Sequence, residues 1–473
     1  MTAPHAPEMP MNGKCWLIGS PDARWPSLLE RAASARGLRW SRSGASSSAL
    51  SNLSADRGIV FAIAADQLAA LAPPDKQRIA ERVVEGAVLY VKGGFKPGES
   101  YSMSPFANSC FSVADTNRAF RWRLTDHRLL PRIIAKEAAI VEFESMTAEG
   151  TTGSVEPILF VQPPDGRERP AIFTIGCGAG SAIYDLTTEE TRSSTSLLGR
   201  LEDPATFASA IGAVVAGFAY GPTAPPKPSF NLVIDDRPAN LDYLSTARLR
   251  AFMRHLNDQF FGIHVDFGWT PDQLRPSRRY IEILKEYQCG FVWHGLLHHV
   301  DHRTITDPDS ALSMGRHLVE TICHRYQVRF QPVMIFPFER DTPRTVELLR
   351  RAGFLAMAET PPLAPNDDNP ATGGATVEVA ADRADDNFMI LKRYPVAALM
   401  RSRMLALATL GLPIIAAAHP RDVSLRRLPL PRGGDGSFSH FDQVLGFAAE
   451  KQLQPASLER IAVEALTTRS LET

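Results

Sequence analysis

Two pairs of side chains in this sequence have the types and spacing needed to bind one divalent metal ion. Asp235 and Asp236 stand side by side after the apolar run 231–234, and His294 and His298 lie four positions apart further along the chain. Two imidazoles at that spacing on a helical turn project to one side and can reach the same cation. A carboxylate next to a metal-binding carboxylate is left over as a base for activating water. The combination predicts a metal-dependent hydrolase.

Each part of this set also has a purely structural interpretation. An aspartate pair after a strand can cap a helix, and a histidine pair arises more easily by chance where His299 and His302 are also near. His419 ends an apolar segment, where a lone histidine is more often a hydrogen-bonded core residue than a catalyst. Adjacent buried carboxylates, however, are costly unless a cation or a proton compensates them. This cost favours a functional interpretation of the aspartate pair.

The C-terminal half alternates short apolar segments with helical patterns, which predicts a βα barrel or an open βα sheet. The predicted strands are 232–234, 261–265, 291–293, 333–336 and 414–418, and the predicted helices are 246–256, 277–288, 311–326 and 343–352. Polar residues follow four of these strands directly: the aspartate pair, His294, the segment 337–340 and His419. In βα barrels catalytic residues gather at that rim, so these four segments are expected to meet in one pocket.

The N-terminal half has a different pattern. Strands at 15–18, 58–64 and 87–91 alternate with helices near 25–36 and 74–85, which predicts a parallel sheet covered by helices. Segments 158–161 and 171–175 flank a turn-rich connection, which predicts an antiparallel hairpin on that sheet. Four prolines in segment 222–228 prevent regular structure, so we place a linker there. Segment 364–386 is rich in Pro, Asp, Asn and Gly and is predicted to be a long surface loop.

The composition limits which classes of binding partner and which cellular location are expected. With 51 basic and 52 acidic residues the formal net charge is −1, which does not favour nucleic acid or an anionic membrane as a partner. The five cysteines are scattered and are expected to be buried free thiols. Neither a secretory signal nor an apolar run long enough for a transmembrane segment is recognised, so we expect a cytoplasmic protein.

Four segments together resemble the polysaccharide deacetylases, a family of carbohydrate esterases also called the NodB homology family. They are the run Val-Ile-Asp-Asp-Arg-Pro at 233–238, the histidine pair at 294 and 298, the strand end Phe-Pro-Phe at 336–338 followed by 342–354, and the late His419. Their order and spacing match the family, and the resemblance covers residues 229–421.

The resemblance implies a distorted (β/α) barrel that removes N-acetyl or O-acetyl groups from sugars with one bound divalent ion, usually zinc. By position in the motifs, Asp236, His294 and His298 would be the metal ligands. Asp235 would be the general base and His419 the general acid. The substrate would be an acetylated sugar or glycan.

The sequence departs from the family pattern at the arginine that orients the base. The family has an arginine two residues before Pro337, where this chain has Ile335, and it commonly has a glycine where this chain has Arg237. Either Arg237 or Arg340 is a candidate to replace the missing arginine. With Pro337 and Phe338, these arginines are also weak candidates for contacts with the substrate.

The N-terminal half is similar to a glutamine-amidotransferase-type, flavodoxin-like domain in its strand at 58–64, its helix at 76–85 and the segment 88–94. A catalytic domain of that type needs a cysteine on a strand-to-helix elbow with a histidine partner. Cys177, between Gly176 and Gly178, is the one candidate, and no suitable His-x-Glu is present. We therefore interpret the cysteine as structural and the domain as non-catalytic, serving docking or substrate selection.

These expectations combine into one division of the chain. Residues 1–220 are a flavodoxin-like α/β domain, 221–228 a Pro-rich linker, 229–450 a polysaccharide deacetylase-like (β/α) barrel, and 451–473 a C-terminal helix and tail. The predicted activity is metal-dependent removal of acetyl groups. Two alternatives stay open: an inactive barrel that binds glycans or acts as a scaffold, and a metal-dependent amidase or phosphoesterase. The sequence does not predict the oligomeric state.

Overall fold

The described residues form two separate β-sheets, one from each half of the chain. The computed structural model describes residues 14–18, 29, 39–43, 59–104, 110–126, 138–150, 155–162, 166–187, 212, 215, 228–235, 245–260, 262–270, 278–295, 307–335, 343–360, 388–399, 401–409, 411–424 and 438–470. The two sheets lie on either side of the Pro-rich segment in sequence, and residues 221–227 of that segment are outside the described part. The domain limits given above remain predictions.

The first sheet is parallel in one half and antiparallel in the other. Its strands are β1 Lys14–Ile18, β2 Arg39–Ser43, β3 Ile59–Ile63, β4 Val88–Lys92, β5 Ser100–Ser102, β6 Cys110–Leu124, β7 Ala138–Glu149, β8 Glu156–Gln162, β9 Arg169–Cys177 and β10 Gly180–Asp185. Their order is β2-β1-β3-β4-β10-β9-β8-β6-β5, with β7 on β6. The parallel half, from β2 to β10, has the strand order of a flavodoxin-like sheet.

The sequence pattern predicted β1, β3 and β4 and the β8–β9 hairpin, and these are confirmed, whereas β10 was not predicted. The predicted helix near 25–36 lies outside the described residues except for Leu29. Helices α1 Ala65–Ala70 and α2 Pro73–Val84 follow β3, and a proline in the first turn of α2 supplies a preset backbone angle. The long antiparallel pair β6 and β7 was not predicted. Its strands mix polar and apolar residues, as antiparallel strands with one solvated face do, and they lack the continuous apolar run of a buried parallel strand.

The second sheet is a distorted (β/α) barrel. Its strands are β11 Ser229–Ile234, β12 Val265–Trp269, β13 Gly290–His294, β14 Phe330–Ile335, β15 Ala356–Glu359, β16 Met389–Lys392, β17 Tyr394–Pro395, β18 Ile414–Ala418 and β19 Gln454–Pro455. The order is β16-β15-β14-β13-β12-β11-β18-β17, with β19 on β11, and every pairing is parallel. The two outermost strands, β16 and β17, are separated in the chain by Arg393 alone. The sheet therefore curls until its two ends meet at that residue.

Helices follow most of the barrel strands. They are α3 Thr246–Gln259, α4 Arg278–Glu286, α5 Pro308–Tyr326, α6 Pro343–Arg351, α7 Arg401–Thr409, α8 Pro420–Ser424, α9 Ser439–Glu450 and α10 Leu458–Ser470. The predicted helices α3, α4, α5 and α6 and the C-terminal helix α10 are confirmed, whereas α7, α8 and α9 were not predicted. Ser245 caps α3 by accepting from Arg248 N, and Asp307 caps α5 by accepting from Ser310 N. None of the described helices combines the length and apolar character that crossing a membrane requires. The predicted loop 364–386 lies outside the described residues.

The prediction of a strand at 261–265 is wrong, since the strand runs from Val265 to Trp269. Helix α3 continues to Gln259, and Gly262 takes a positive φ of 87° in the connecting turn. The observed strand contains a fully buried aspartate, Asp266. Because this residue is polar, the segment was not recognised as a strand in the sequence. That carboxylate accepts hydrogen bonds from Asn231, Gln331 and the backbone of Leu458, and these bonds offset the cost of burying it.

Candidate functional site

Asp235 lies at the C-terminal end of β11, at the rim where the sequence predicted the site. The six residues of β11 are all buried, and the strand carries Asp235 into the barrel with only 1% of its side chain exposed. Its backbone N–H donates to the carbonyl of Ala418 at 2.7 Å. Ala418 immediately precedes His419, so this bond places the predicted base and the predicted acid on adjacent strand ends.

His294 comes to the same place from the other side of β12. It is the last residue of β13 and is 3% exposed. Gly268 in β12 lies between the two strand ends, and a Cβ atom there would be 3.3 Å from His294 Cβ and 3.6 Å from Asp235 Cα. The absence of a side chain at Gly268 therefore leaves room for the aspartate and the histidine on either side of the middle strand.

The backbone around His294 is tied on both sides. Thr270 donates its hydroxyl to the His294 carbonyl at 3.0 Å, and the Gly295 N–H donates to the Ile335 carbonyl at 2.7 Å. Gly295 has a φ of 74°, a conformation that ends the strand. His294 therefore lies at a strand end, where its position after the apolar segment predicted it, and the turn from 296 to His298 lies outside the described residues.

A buried ion pair holds the Asp235 carboxylate. Arg393, 3% exposed, donates from Nη1 to Asp235 Oδ2. The backbone N–H of Arg393 donates to the Glu359 carbonyl at 3.0 Å, which ties it to the end of β15. Burial lowers the pKa of the Arg393 guanidinium to about 9, so the group keeps its charge near pH 7 and compensates the buried carboxylate.

The two oxygens of Asp235 have different surroundings. Oδ2 is engaged by Arg393, whereas Oδ1 is buried and accepts no hydrogen bond from any described residue. A buried acceptor of this kind fits a site that takes a hydrogen-bond donor from a ligand or a water molecule. Of the two carboxylate oxygens, Oδ1 is the one that no described residue occupies.

His419 follows β18 at the same rim and is the more open of the candidates, with 40% of its side chain exposed. Its backbone N–H donates to Asp422 Oδ2 at 2.7 Å, and the Asp422 N–H donates to the His419 carbonyl at 2.9 Å. The same Asp422 oxygen lies 3.8 Å from His419 Nδ1. This reciprocal contact at the start of α8 fixes the backbone of His419 and brings a carboxylate close to its ring.

Several predicted site residues lie outside the described part of the chain: Asp236, Arg237, His298, Pro337, Phe338 and Arg340. Their roles remain predictions. Among the residues that are described, no group of three His, Cys, Asp or Glu side chains comes together. His294 is the one predicted metal ligand that lies within the described residues, and a buried imidazole is a common ligand of zinc.

The interpretation of Cys177 as structural agrees with its position. It is the last residue of β9 and leads through Gly178 into the β9–β10 hairpin, so it does not lie on a strand-to-helix elbow. Burial raises the pKa of its thiol, which disfavours the thiolate that a nucleophile requires. All five cysteines are free, but Cys110 is exposed, so the expectation that all are buried is wrong.

The first sheet holds a second buried charged group, at the ends of β4 and β10. Lys92 lies 3.1 Å from Asp185 and donates to the hydroxyl of Thr187 at 2.7 Å, while Tyr90 donates to Asp185 at 2.7 Å. Gly212 packs against the group so closely that an added Cβ would collide with the Asp185 carboxylate. The cluster is closed, and we interpret it as a structural link between the two strands.

Sequence reasoning did not find Gly268, Thr270, Arg393 or Asp422. A signal for Arg393 was present, because a basic residue follows the apolar segment 388–391 just as polar residues follow the other strands. No strand had been assigned there, so this regularity was missed. Gly268 was hidden by the misplaced strand, and Asp422 had the appearance of an ordinary helix-capping residue.

Comparisons with known proteins give structural similarities of low identity. A scan against protein-family models finds no match, and a search of curated proteins finds no significant relative. Similar solved structures include a putative polysaccharide deacetylase from Mycobacterium smegmatis, at 14% identity, a TM-score of 0.37, and coverage of 52% of this chain and 93% of that chain.

Two other similar structures are named as a deacetylase and an allantoinase. A peptidoglycan N-acetylglucosamine deacetylase is 10% identical with a TM-score of 0.29, and the match covers 49% of this chain and 86% of that one. An allantoinase is 12% identical with a TM-score of 0.32, over 52% of this chain and 95% of that one. At such values the function has to be argued from this chain's own residues.

Proposed function

We propose that this protein is a metal-dependent hydrolase that removes N- or O-acetyl groups from a polysaccharide or glycoconjugate. One observation supports the proposal most directly: Asp235 and His294 are both buried at the C-terminal rim and both lie close to Gly268, on either side of β12. A buried carboxylate with one oxygen open to a donor suits a general base, and a buried imidazole at the same rim suits a metal ligand.

Asp236, His294 and His298 would hold the divalent ion, for which zinc is the best candidate. Bound there, the ion supplies Lewis acidity, which polarises a carbonyl oxygen and makes water easier to deprotonate. This assignment extends the motif spacing of the sequence to two residues outside the described part.

The chain's own groups divide the proton transfers between them. Asp235 accepts the proton of the attacking water at Oδ1, while Arg393 keeps Oδ2 in place. His419, on the neighbouring strand end and more exposed, donates a proton to the departing amine or alcohol of the sugar. The products are acetate and the free amino or hydroxyl group.

Acetate release and metal content test this proposal. The purified native chain is assayed on N-acetylglucosamine oligomers and O-acetylated xylan, and its metal is measured by elemental analysis. We expect about one divalent ion per chain and a loss of about a hundredfold or more in kcat for Asp235→Asn. Asp309→Asn, at an exposed position on α5, is the matched control and should retain native activity.

The same assay separates the alternatives. Bound metal without acetate release from any acetylated sugar, together with retained glycan binding, would identify a binding protein. About two ions per chain with turnover of phosphate monoesters would identify a phosphoesterase, because phosphoryl transfer favours a second metal. Release of acetate by Asp235→Asn at the native rate would exclude Asp235 as the base.

A further inference from the structure

The residue that joins the two ends of the barrel also contacts the candidate base. Arg393 is the single residue between β16 and β17, which are the outermost strands of the sheet. Its side chain donates to Asp235 on β11, and β18 separates β11 from β17. The ion pair therefore reaches from the closure point of the barrel to the carboxylate.

At the end of β14, where the family resemblance implied an arginine, the chain has Ile335. Ile335 is fully buried and contributes its carbonyl to Gly295, next to His294. No positive charge can reach Asp235 from that side chain. Within the described part of the chain, the positive charge that pairs with Asp235 comes from Arg393, between β16 and β17.

We infer that Arg393 is the positioning residue of the candidate base. By binding Oδ2 it fixes the rotation of the Asp235 carboxylate, so that Oδ1 is presented to the attacking water. The inference depends on the proposed hydrolase function and assigns a role within it to a residue that no motif predicted.

Burial decides between positioning and substrate binding for this arginine. With 3% of its side chain exposed, Arg393 has no surface to offer a sugar. Its loss should therefore change the rate of the chemical step and leave substrate affinity nearly unchanged. A substrate-binding arginine would show the opposite pattern, a raised KM at constant kcat.

The test compares Arg393→Met, Arg393→Lys and Arg393→Ala with the native chain, on the acetylated sugar that the native chain hydrolyses. We expect Arg393→Met to lose about a hundredfold in kcat, as misplacement of a catalytic group does. KM should stay within about twofold of the native value, since uniform binding is unaffected. Arg393→Lys keeps a positive charge and should recover part of the rate, and added guanidinium should partly restore kcat in Arg393→Ala.

Folding and metal binding are followed in the same variants. Thermal unfolding and elemental analysis should show folded chains with native metal content for Arg393→Lys, so that its lowered kcat cannot come from loss of structure. Arg401→Met is the matched control, because it removes an exposed arginine that also pairs with a carboxylate, Glu450. It should leave kcat unchanged.

The outcomes separate this inference from the function on which it depends. If the native chain is active and Asp235→Asn is not, but Arg393→Met retains native kcat, the positioning role is wrong and the hydrolase stands. A raised KM with native kcat in Arg393→Met would likewise overturn positioning in favour of substrate binding. If the native chain releases no acetate from any sugar, the proposed function fails and the inference fails with it.

Discussion

The backbone N–H of Leu458 donates to the Asp266 carboxylate at 2.9 Å, so a residue of β12 caps the first turn of α10 at the end of the barrel opposite the candidate site. The same carboxylate accepts from Asn231 at 2.9 Å and from Gln331 at 2.5 Å. An ionised carboxylate has only acceptor atoms, so it can satisfy all these donors at once. These hydrogen bonds to Asp266 therefore hold helix α10 against the barrel, and the carboxylate has no N–H of its own that would face the donors.

Asp266→Asn should destabilise the protein strongly although it changes only one atom. The amide offers a single acceptor oxygen and turns its own N–H groups towards other donors. Leaving buried donors unsatisfied lowers the free energy of unfolding by about 2–4 kcal/mol. Urea unfolding measures the loss, and Asp309→Asn, an exposed aspartate, should stay within about 0.5 kcal/mol of the native chain. Equal stability of the two variants would show that the hydrogen bonds to Asp266 are not important for folding.

Gly268→Ala should lower activity by crowding the site. The new methyl group would lie 3.3 Å from His294 Cβ and 3.6 Å from Asp235 Cα, so the histidine must move by a few tenths of an ångström. A displacement of this size should reduce kcat/KM by about tenfold, with a larger loss for Gly268→Val. Steady-state kinetics on an acetylated sugar measures the change.

Gly446→Ala is the matched control for this substitution. Gly446 lies in α9, and a Cβ atom there would meet nothing within 4 Å. Activity should be native in this variant. Native kcat/KM in both glycine variants would mean that the space left at Gly268 has no role in catalysis.

The effect of replacing His419 should depend on the leaving group of the substrate. Without His419 the departing amine of an N-acetyl sugar lacks a proton donor, so His419→Ala should lose about a hundredfold or more in kcat on such a substrate. An aryl acetate such as 4-nitrophenyl acetate has a leaving group that needs no proton and should lose far less. A uniform loss on both substrates would argue against the acid role.

Asp422→Asn should have a milder effect than loss of the histidine itself. The amide oxygen can still accept from the His419 N–H, but the charge near Nδ1 is gone, so kcat should fall by about tenfold or less on the N-acetyl substrate. Asp442→Asn is the control, since Asp442 contacts His255 at 2.8 Å on the outer helices. It should behave as the native chain.

The Arg401–Glu450 pair should contribute stability that depends on pH. Two hydrogen bonds of 2.8 Å from Arg401 lower the pKa of Glu450 to about 2 from 4.5. A depressed carboxyl pKa stabilises the folded state above the unfolded value, so the contribution is full above pH 4.5 and disappears as the pH falls towards 2. Because both side chains are nearly half exposed, solvent screening limits it to about 1 kcal/mol.

The difference in unfolding free energy between the native chain and Glu450→Gln measures this contribution. It should be present at pH 6, shrink through pH 3 and decrease further with added salt. Arg401→Met should show a smaller pH dependence of the same sign, because it breaks this pair but leaves Lys451 3.3 Å from the Glu450 carboxylate. A difference that stays constant from pH 6 to pH 2.5 would contradict the assignment.

The sequence was sufficient for those parts of the fold in which hydrophobicity and local signals agree. Strand β11 and the helix α6 after Pro343 were found because an apolar run or a proline at the helix start is unambiguous. The rim positions of Asp235, His294 and His419 followed from the rule that polar residues end these strands. Strand β12 was displaced, since Asp266 is polar and its hydrogen-bond partners come from distant segments.

The partner of the base could not be predicted for a similar reason. Arg393 and Asp235 are 158 residues apart, and their contact depends on how the barrel closes. Local patterns favoured Arg237 or Arg340, which are nearer to known motifs. The assignment needed the strand order, which no window of sequence contains.

Only Arg393 separates β16 from β17, so no loop there can absorb a change in the length of the chain. Adding a single amino acid there would reverse the orientation of every following side chain in one terminal strand, and the guanidinium would leave Asp235. Because β16 and β17 run in the same direction along β15 and β18, Arg393 lies within one continuous extended stretch and not in a turn. Libraries of insertions should consequently tolerate length changes at many rim connections and reject them at Arg393.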